Sequence, residues 1–137
     1  AVAEDGADVW LTAADSGGEL RVSPPSAFDG SDREISPEEL FALAIANCIV
    51  STYRAVAARK GLAYDAVTAD IETTLDRAGD EGRPEITHAD VTVTVDGVAD
   101  TDLAREIGTI TDRSCFVSRS VTTDIATDYR FPGPEQS

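Results

Sequence analysis

The sequence predicts an α+β domain in which antiparallel sheets pack against one long helix. Several separate segments carry apolar residues at alternate positions, which is typical of half-buried strands. Residues 36–61 instead form a long, largely apolar stretch bounded by helix start and stop signals. The segments follow in the order two strands, helix, two strands, two helices and strand, which is typical of α+β proteins. A length of 137 residues predicts a single domain, residues 1–137.

A hairpin is the first predicted element. Residues 8–14 predict a strand, residues 15–18 a turn, and residues 19–22 the returning strand. Pro24 and Pro25 end the second strand, because proline cannot donate a ladder hydrogen bond.

The long helix is predicted to begin after Ser36 and to end before Gly61. Ser36 suits the N-cap, and Pro37 suits the first helical position. Glu38 and Glu39 complement the positive end of the helix dipole, and Ser36 with Glu39 matches the capping-box pattern. Gly61 is the predicted C-terminal stop.

The second half of the chain returns to strands around a shorter helix. The predicted elements are strands over 64–75 and 86–95 with a turn-rich connection at 77–84, a helix over 100–110, and a last strand over 121–129. Residues 132–137 are expected to fray.

The acidic composition indicates a protein adapted to concentrated salt. The chain carries 26 acidic against 11 basic residues, a net charge of −15, and Lys60 is its only lysine. Such a charge destabilises a compact state through self-repulsion, which salt relieves by screening. The acidic residues are spread along the chain, so a surface for one basic partner is the less favoured explanation. We therefore expect the protein of a halophile.

Several classes of function are disfavoured. The sequence has no basic stripe for nucleic acid and no run near the roughly 18 consecutive apolar residues of a membrane span. It shows no export leader, so cytoplasmic residence is expected. His88 is the only histidine and lies in a predicted strand, so no metal site is expected. No cofactor is expected either, because no phosphate-binding or dinucleotide loop is present.

Cys48 lies in the middle of the predicted long helix. Apolar and small residues recur around it every three to four positions, which predicts that it lies on the buried face. They are Leu40 or Phe41, Ala44 or Ile45, Thr52 and Val56. A cysteine so placed is a packing residue unless a cation or a helix N-terminus lowers its pKa. The N-terminus of its own helix lies about three turns away, so any activation must come from elsewhere in the fold.

Cys115 is the second cysteine. It follows Arg113 and Ser114, and a short helical turn is predicted to begin at it, a position that favours the thiolate. The alternative is a buried small residue at a helix start. Cys48 and Cys115 could form a disulfide if their Cα atoms approach to roughly 4.4–6.8 Å, which the sequence alone does not determine.

Two motifs resemble those of the OsmC/Ohr family, the osmotically induced protein C and organic hydroperoxide resistance proteins. The family's Asn-Pro-Glu-Glu/Gln-Leu…Ala-Cys helix resembles the stretch Ser36-Pro-Glu-Glu-Leu-Phe-Ala-Leu-Ala-Ile-Ala-Asn-Cys48. Its Gly-Cys-Pro-Val-Ser motif resembles Ser114-Cys115-Phe116-Val117-Ser118. The last strand, residues 123–129, is also similar, and the order of elements agrees along nearly the whole chain.

The resemblance implies a homodimer of intertwined subunits that reduces organic hydroperoxides and hydrogen peroxide. Cys48 matches the peroxidatic cysteine, which becomes a sulfenic acid, and Cys115 matches the resolving cysteine, which condenses with it to a disulfide. Glu38 matches the family's active-site glutamate. A dithiol, often a lipoyl group in the family, is the implied reductant.

Two positions depart from the family pattern. The family's activating arginine precedes a Phe-Glu-Gly sequence in some members, whereas here Ala27 precedes Phe28. Arg21 and Arg33 are the available substitutes, and Arg21 is our candidate. Phe116 replaces the proline that usually follows the second cysteine.

The sequence therefore supports two hypotheses. The first is a cytoplasmic thiol peroxidase in which Cys48, Cys115, Glu38 and Arg21 form the site. The second is a dimeric stress-response or small-molecule-binding module of the same fold without efficient peroxidase activity. On one helix Glu38 lies about 15 Å along the axis from Cys48, so it could serve only the Cys48 of a partner subunit.

Overall fold

The computed structural model describes residues 1–78 and 82–133. Part of the predicted turn at 77–84 (residues 79–81) and most of the predicted frayed tail (residues 134–137) lie outside the described residues. Two compact units are present, residues 1–41 and residues 42–137.

The first unit contains the predicted hairpin. Strand β1 (Trp10–Ala13) pairs antiparallel with β2 (Glu19–Val22), with Trp10 opposite Val22. Ala14 and Gly18 close the turn through a 2.8 Å backbone hydrogen bond. Gly17 takes a φ of 94°, a left-handed conformation that glycine adopts without strain.

Helix α1 (Pro37–Lys60) has the predicted bounds and the predicted cap. The Ser36 hydroxyl accepts the Glu39 N–H at 3.1 Å, and the Glu39 carboxylate accepts the Ser36 N–H at 3.2 Å, so both halves of the capping box form. Gly61, with a φ of 75°, ends the helix.

Helix α1 is apolar over most of its length. Among the described helices it alone is long and apolar enough, by length and composition, to cross a membrane. Of its most apolar 18 residues, however, 39% are already buried inside the chain, and the core helix of a soluble protein passes the same test.

The second unit contains a three-stranded sheet in the order β3 (Ala66–Ala78), β4 (Arg83–Asp96) and β5 (Asp124–Arg130). β3 and β4 are antiparallel, as expected, but β5 runs parallel to β4. The sheet is therefore mixed. Helix α2 (Thr101–Ser114) connects β4 to β5 and carries the chain back to the starting end of β4, which is how parallel neighbours are joined.

The core of this unit lies where the sheet and the two helices meet. Ala89, Val91, Val93 and Val95 alternate along β4 and are each at most 1% exposed. The Tyr53 hydroxyl of α1 donates to the carbonyl of Ala104 in α2 at 2.9 Å, and its ring stacks on that of Tyr129 in β5 with centroids 5.9 Å apart. α1, α2 and β5 are thereby fixed around the positions from which the cysteines project.

The close packing of α2 on β5 depends on Gly108. A Cβ atom at this position would lie only 3.0 Å from the ring of Tyr129. Glycine therefore lets the tyrosine ring lie directly against the helix.

Candidate active site

Cys48 lies at the border of the buried face of α1. The residues that form this face are Ile45, Ala46, Ile49, Tyr53, Val56 and Ala57. Cys48 itself is partly exposed, so its predicted place on the buried face is wrong. Successive helical residues are turned by about 100°, and Cys48 precedes the buried Ile49, which leaves its sulfur beside the core but open on one side.

Cys115 is fully buried and ends α2. Its N–H donates to the carbonyl of Thr111 at 3.0 Å, which closes the last turn of the helix. The hydroxyl of Ser118 donates to its sulfur at 3.2 Å. The predicted helical turn at Cys115 is present, since the Cys115 carbonyl accepts the Arg119 N–H at 3.2 Å and Ser118–Ser120 form a 3-10 turn. Helix α2 continues as far as Ser114, immediately before it. Cys115 thus lies between the negative end of α2, which disfavours a thiolate, and the start of the next helical turn, whose Ser118 N–H favours one.

The two thiols affect one another's pKa. Burial alone raises the pKa of the Cys48 thiol, but four donors outweigh it and lower that pKa below its ordinary value. In order of effect they are the Cys115 thiol, the Val117 N–H, the Thr52 hydroxyl and the Phe116 N–H. The Thr52 oxygen lies 3.9 Å from the Cys48 sulfur.

Cys115 is shifted in the opposite direction. Burial raises the pKa of its thiol, and its hydrogen bond to Cys48 and the charge on Cys48 raise it further. The hydroxyl and N–H of Ser118 lower it in part. Cys48 is therefore the thiol of lower pKa, and Cys115 is the one that keeps its proton to a higher pH.

The turn after Cys115 supplies donors that sequence reasoning missed. The N–H groups of Phe116 and Val117 act on Cys48, and the N–H of Ser118 acts on Cys115. Successive N–H groups in a turn form a concave surface that favours negative charge. A signal was present in the sequence, because phenylalanine provides an N–H where the family motif has proline, which provides none.

Glu38 and Arg21 belong to the first unit, and their roles at Cys48 stay predictions. Glu38 lies in the first turn of α1, and its Oε2 atom is buried without a hydrogen-bond partner among residues 1–78 and 82–133. The Arg21 guanidinium, on β2, pairs with the carboxylate of Glu34 at 3.1 Å. No arginine is among the described groups that shift the pKa of Cys48.

A pocket of about 230 Å³ opens beside Cys115. Its lining residues come from both helices, the turn after α2, and β5 with the residues before it. They are Ile49, Asp112, Cys115, Ser118, Arg119, Thr123, Ile125 and Thr127.

The remaining titratable groups are dispersed. His88 is exposed on β4, with its Nε2 4.0 Å from the Asp124 carboxylate. Within the part of the chain that the structure describes, no group of three or more His, Cys, Asp or Glu side chains could hold a metal ion.

This arrangement defines a class of protein, an α+β fold with two interacting thiols at the junction of a long helix and the turn after a second helix. The family model described as OsmC-like protein matches residues 30–130, which include both cysteines. The chain therefore belongs to the OsmC family. No curated protein sequence matches it.

Solved structures with related names share the fold. An OsmC-like protein of unknown function from Vibrio cholerae has a TM-score of 0.80 at 18% identity, covering 89% of this chain and 84% of that one. An organic hydroperoxide resistance protein from Legionella pneumophila has a TM-score of 0.67 at 16% identity, covering 95% and 100%. Another from Bacillus subtilis has a TM-score of 0.60 at 18% identity, covering 93% of each chain. At these identities the likeness concerns the fold alone.

Proposed function

We propose that this chain is a thiol-dependent peroxidase that reduces organic hydroperoxides, and also hydrogen peroxide, through Cys48 and Cys115. The observation that carries the proposal is the environment of Cys48. Cys48 is partly exposed, and S–H, N–H and O–H donors, the Cys115 thiol among them, lower its pKa despite its partial burial. The names of the L. pneumophila and B. subtilis neighbours support the same substrate class.

The first step begins at the Cys48 thiolate. Its sulfur attacks the terminal oxygen of the hydroperoxide, the O–O bond breaks, and the alkoxide leaves with the bonding electron pair and takes up a proton to become the alcohol. Cys48 becomes a sulfenic acid. A thiolate held by hydrogen bonds is available for this attack at a lower pH than an ordinary cysteine.

The second step uses the opposite shift on Cys115. While Cys48 is a thiolate, its charge and its hydrogen bond hold the Cys115 proton in place. Oxidation of Cys48 removes that charge, so the pKa of Cys115 falls and its thiolate becomes available. It attacks the Cys48 sulfur, the S–O bond breaks, and hydroxide leaves as water after taking up a proton. The product is the Cys48–Cys115 disulfide.

The proposed active form is a homodimer. α1 is apolar around its circumference, yet one side of it lies against the core while Leu43 on another side is 42% exposed. Phe116, beside Cys48, is 82% exposed. A second subunit would cover such a surface, and its Glu38 would supply the carboxylate that the intrachain spacing denies to Cys48.

A binding module without efficient peroxidase activity is the second candidate. It is favoured by one observation: Arg21 is already paired with Glu34, so its charge is partly neutralised. In that case the donors around Cys48 would lower the pKa of a thiol that does not complete a catalytic cycle.

The consumption of an alkyl hydroperoxide with a dithiol reductant in molar salt separates the two candidates. The wild-type chain should consume peroxide catalytically, and Cys48→Ser should lose at least about a thousandfold of that rate, because the attacking atom is gone. Thr52→Val is a matched control that keeps the attacking sulfur and removes one donor. Equal, slow rates for all three proteins would favour the binding module.

We also propose that the protein works in a saline cytoplasm. The Debye length falls from about 10 Å at 0.1 M salt to 3 Å at 1 M, so the self-repulsion of a −15 chain should largely disappear. We expect the melting temperature to rise by about 10 °C over that range. Sorbitol at matched concentration, which does not screen charge, is the control, and an equal rise in sorbitol would contradict the proposal.

A further inference from the structure

Two hydroxyl groups of β5 bind one carboxylate at the end of α2. Thr127 and Tyr129 are two positions apart, so their side chains leave the strand on the same side. Asp112 lies in the last turn of α2, and its two oxygens accept one hydrogen bond from each hydroxyl, both at 2.8 Å. Hydrogen bonds to a charged acceptor are about twice as strong as those between neutral groups. The last turn of α2 is thereby joined to the sheet.

The same tyrosine connects this carboxylate to α1. The Tyr129 ring stacks on that of Tyr53, with centroids 5.9 Å apart, while its hydroxyl donates to Asp112. Tyr53 follows Cys48 by five positions on α1. Asp112 precedes Cys115 by three positions, a spacing that places two helical residues on one side. A chain of contacts therefore runs between the two helices that position the cysteines.

Hydrogen bonds within the turn after α2 give this turn its shape. The Arg119 guanidinium donates to the carbonyl of Arg113 at 3.2 Å, and the Ser120 hydroxyl donates to the carbonyl of Phe116 at 2.7 Å. Such bonds fix the form of the turn but not its place, because the residues that they join can move together. Helix ends fray, and their last carbonyls have no partner within the helix. The hydrogen bonds of Asp112 to β5 oppose that fraying immediately before the turn.

The place of this turn matters to Cys48. The N–H groups of Phe116 and Val117 lower the pKa of the Cys48 thiol. A hydrogen bond weakens steeply when its donor moves away or tilts. A small displacement of the turn would therefore weaken both donors at once, and the thiolate of Cys48 would be less stable.

We propose that Asp112 is a positioning residue of the candidate site: by accepting the hydroxyls of Thr127 and Tyr129 it holds the turn after α2 in place beside Cys48. The inference deepens the proposed function, because it concerns the thiol that would attack the hydroperoxide.

The charge of Asp112 and its positioning role act in opposite directions. A carboxylate near a thiol raises the pKa of that thiol, so loss of the charge alone would favour the thiolate. Loss of the hydrogen bonds to β5 would disfavour it. The other ionisable residues around this carboxylate within the described part of the chain are Tyr129, Cys115 and Arg119, the last two of which line the same pocket. The direction in which the reactivity of Cys48 changes therefore distinguishes the two roles.

The alkylation of Cys48 tests the proposal. Reduced protein in molar salt is treated with iodoacetamide over a range of pH, and the Cys48 adduct is quantified by peptide mass spectrometry. Asp112→Ala should slow the reaction near neutral pH by about threefold and raise its midpoint by about half a pH unit, because the turn loses its connection to β5. Asp128→Ala removes the same charge from β5, where this carboxylate pairs with Arg130 instead, and should change neither quantity. An unchanged or lower midpoint in Asp112→Ala would overturn the proposal.

A double variant separates the hydrogen bonds from the charge. Thr127→Val with Tyr129→Phe removes both donors but keeps the Asp112 carboxylate and the ring that stacks on Tyr53. It should slow alkylation as much as Asp112→Ala does, and adding Asp112→Ala to it should cause no further slowing. Wild-type reactivity of the double variant, or a second slowing on top of the first, would contradict the positioning role.

These measurements do not depend on peroxide reduction. All variants are compared well below their melting temperatures, so that unfolded chain does not contribute to the alkylation. A chain that consumes hydroperoxide catalytically, but whose Asp112→Ala variant keeps the wild-type midpoint, would refute this inference and leave the proposed function intact.

Discussion

The two helices that meet at the site differ in how completely one chain covers them. α2 has one buried side, formed by Ala104, Ile107, Gly108 and Thr111, and a polar side that faces solvent. α1 has no charged residue between positions 40 and 53, yet it buries only one side within the chain. The apolar side of α2 is therefore covered within the chain, whereas α1 leaves part of its apolar surface exposed.

The two thiols at this junction also differ in how completely they are buried. Cys115, at the end of the fully packed α2, is buried and its pKa is raised by that burial. Cys48, on the incompletely covered α1, is partly exposed, and hydrogen bonds lower its pKa despite the burial that it has. Of the two thiols, Cys48 is thus the one that loses its proton more readily.

The largest expected effect comes from removing one cysteine or the other. Cys115→Ser should still react with one equivalent of hydroperoxide, because Cys48 and a hydroxyl donor remain, and should leave a sulfenic acid that dimedone traps. Cys48→Ser should give no such adduct. Mass spectrometry of the treated proteins checks both, and a dimedone adduct on Cys115 in Cys48→Ser would reverse the assigned roles.

Mixed dimers test the uncovered side of α1. Chains carrying Cys48→Ser or Glu38→Ala should each be nearly inactive, and an equal mixture that is allowed to exchange subunits should recover roughly a quarter of the wild-type activity. Each heterodimer would contain one site with both Cys48 and Glu38 intact. Glu39→Ala, next along the chain, is the matched control and should stay active alone. Heterodimers without activity would make Glu38 a helix-start residue only.

Phe116 has a backbone N–H, which the proline of the family motif lacks. Phe116→Pro should raise the pKa of Cys48 and slow its alkylation by iodoacetamide near neutral pH by about threefold, because one N–H donor to the thiolate is lost. Cys115 has φ −68° and ψ 114°, a conformation allowed before proline, so the chain should fold. Phe116→Ala keeps the N–H and serves as the control. The midpoint of the alkylation rate against pH should rise in Phe116→Pro alone, and an equal rise in Phe116→Ala would contradict this role.

The smallest effect is expected at Ser118. Ser118→Ala removes a donor to the Cys115 sulfur, so the pKa of Cys115 should rise further and disulfide formation should slow by about twofold. The rate of sulfenic acid formation at Cys48 should not change. Ser120→Ala, whose hydroxyl donates to the Phe116 carbonyl instead, is the control. Stopped-flow mixing with a hydroperoxide separates the two phases.

Much of the fold could be predicted because its signals are local. Ser36, Glu39 and Gly61 mark the ends of α1, and the motifs around both cysteines place them on the right elements. The direction of β5 could not be predicted, since alternation of apolar residues is the same in parallel and antiparallel strands. The extension of α2 past residue 110 was also missed. Thr111 and Asp112 are polar, and the contacts that stabilise them in the helix are with residues distant in the sequence.

The sequence predicted the two cysteines of the candidate site, but it did not predict the groups that shift their pKa values. Sequence motifs consist of side chains, and the family motif therefore predicted an arginine as the group that activates Cys48. The donors near Cys48 include backbone N–H groups at 116 and 117, which any residue but proline provides. Their effect depends on the path of the turn after α2, and the sequence does not encode that path in any single side chain.

The hydroxyl of Tyr129 has a consequence for how the pocket behaves in alkaline solution. Burial, and then its hydrogen bond to Asp112 and the charge of that carboxylate, raise the pKa of this phenol far above its ordinary range. The phenol therefore keeps its proton throughout the range in which thiols ionise. A change in thiol reactivity between neutral and mildly alkaline solution therefore does not come from this phenol.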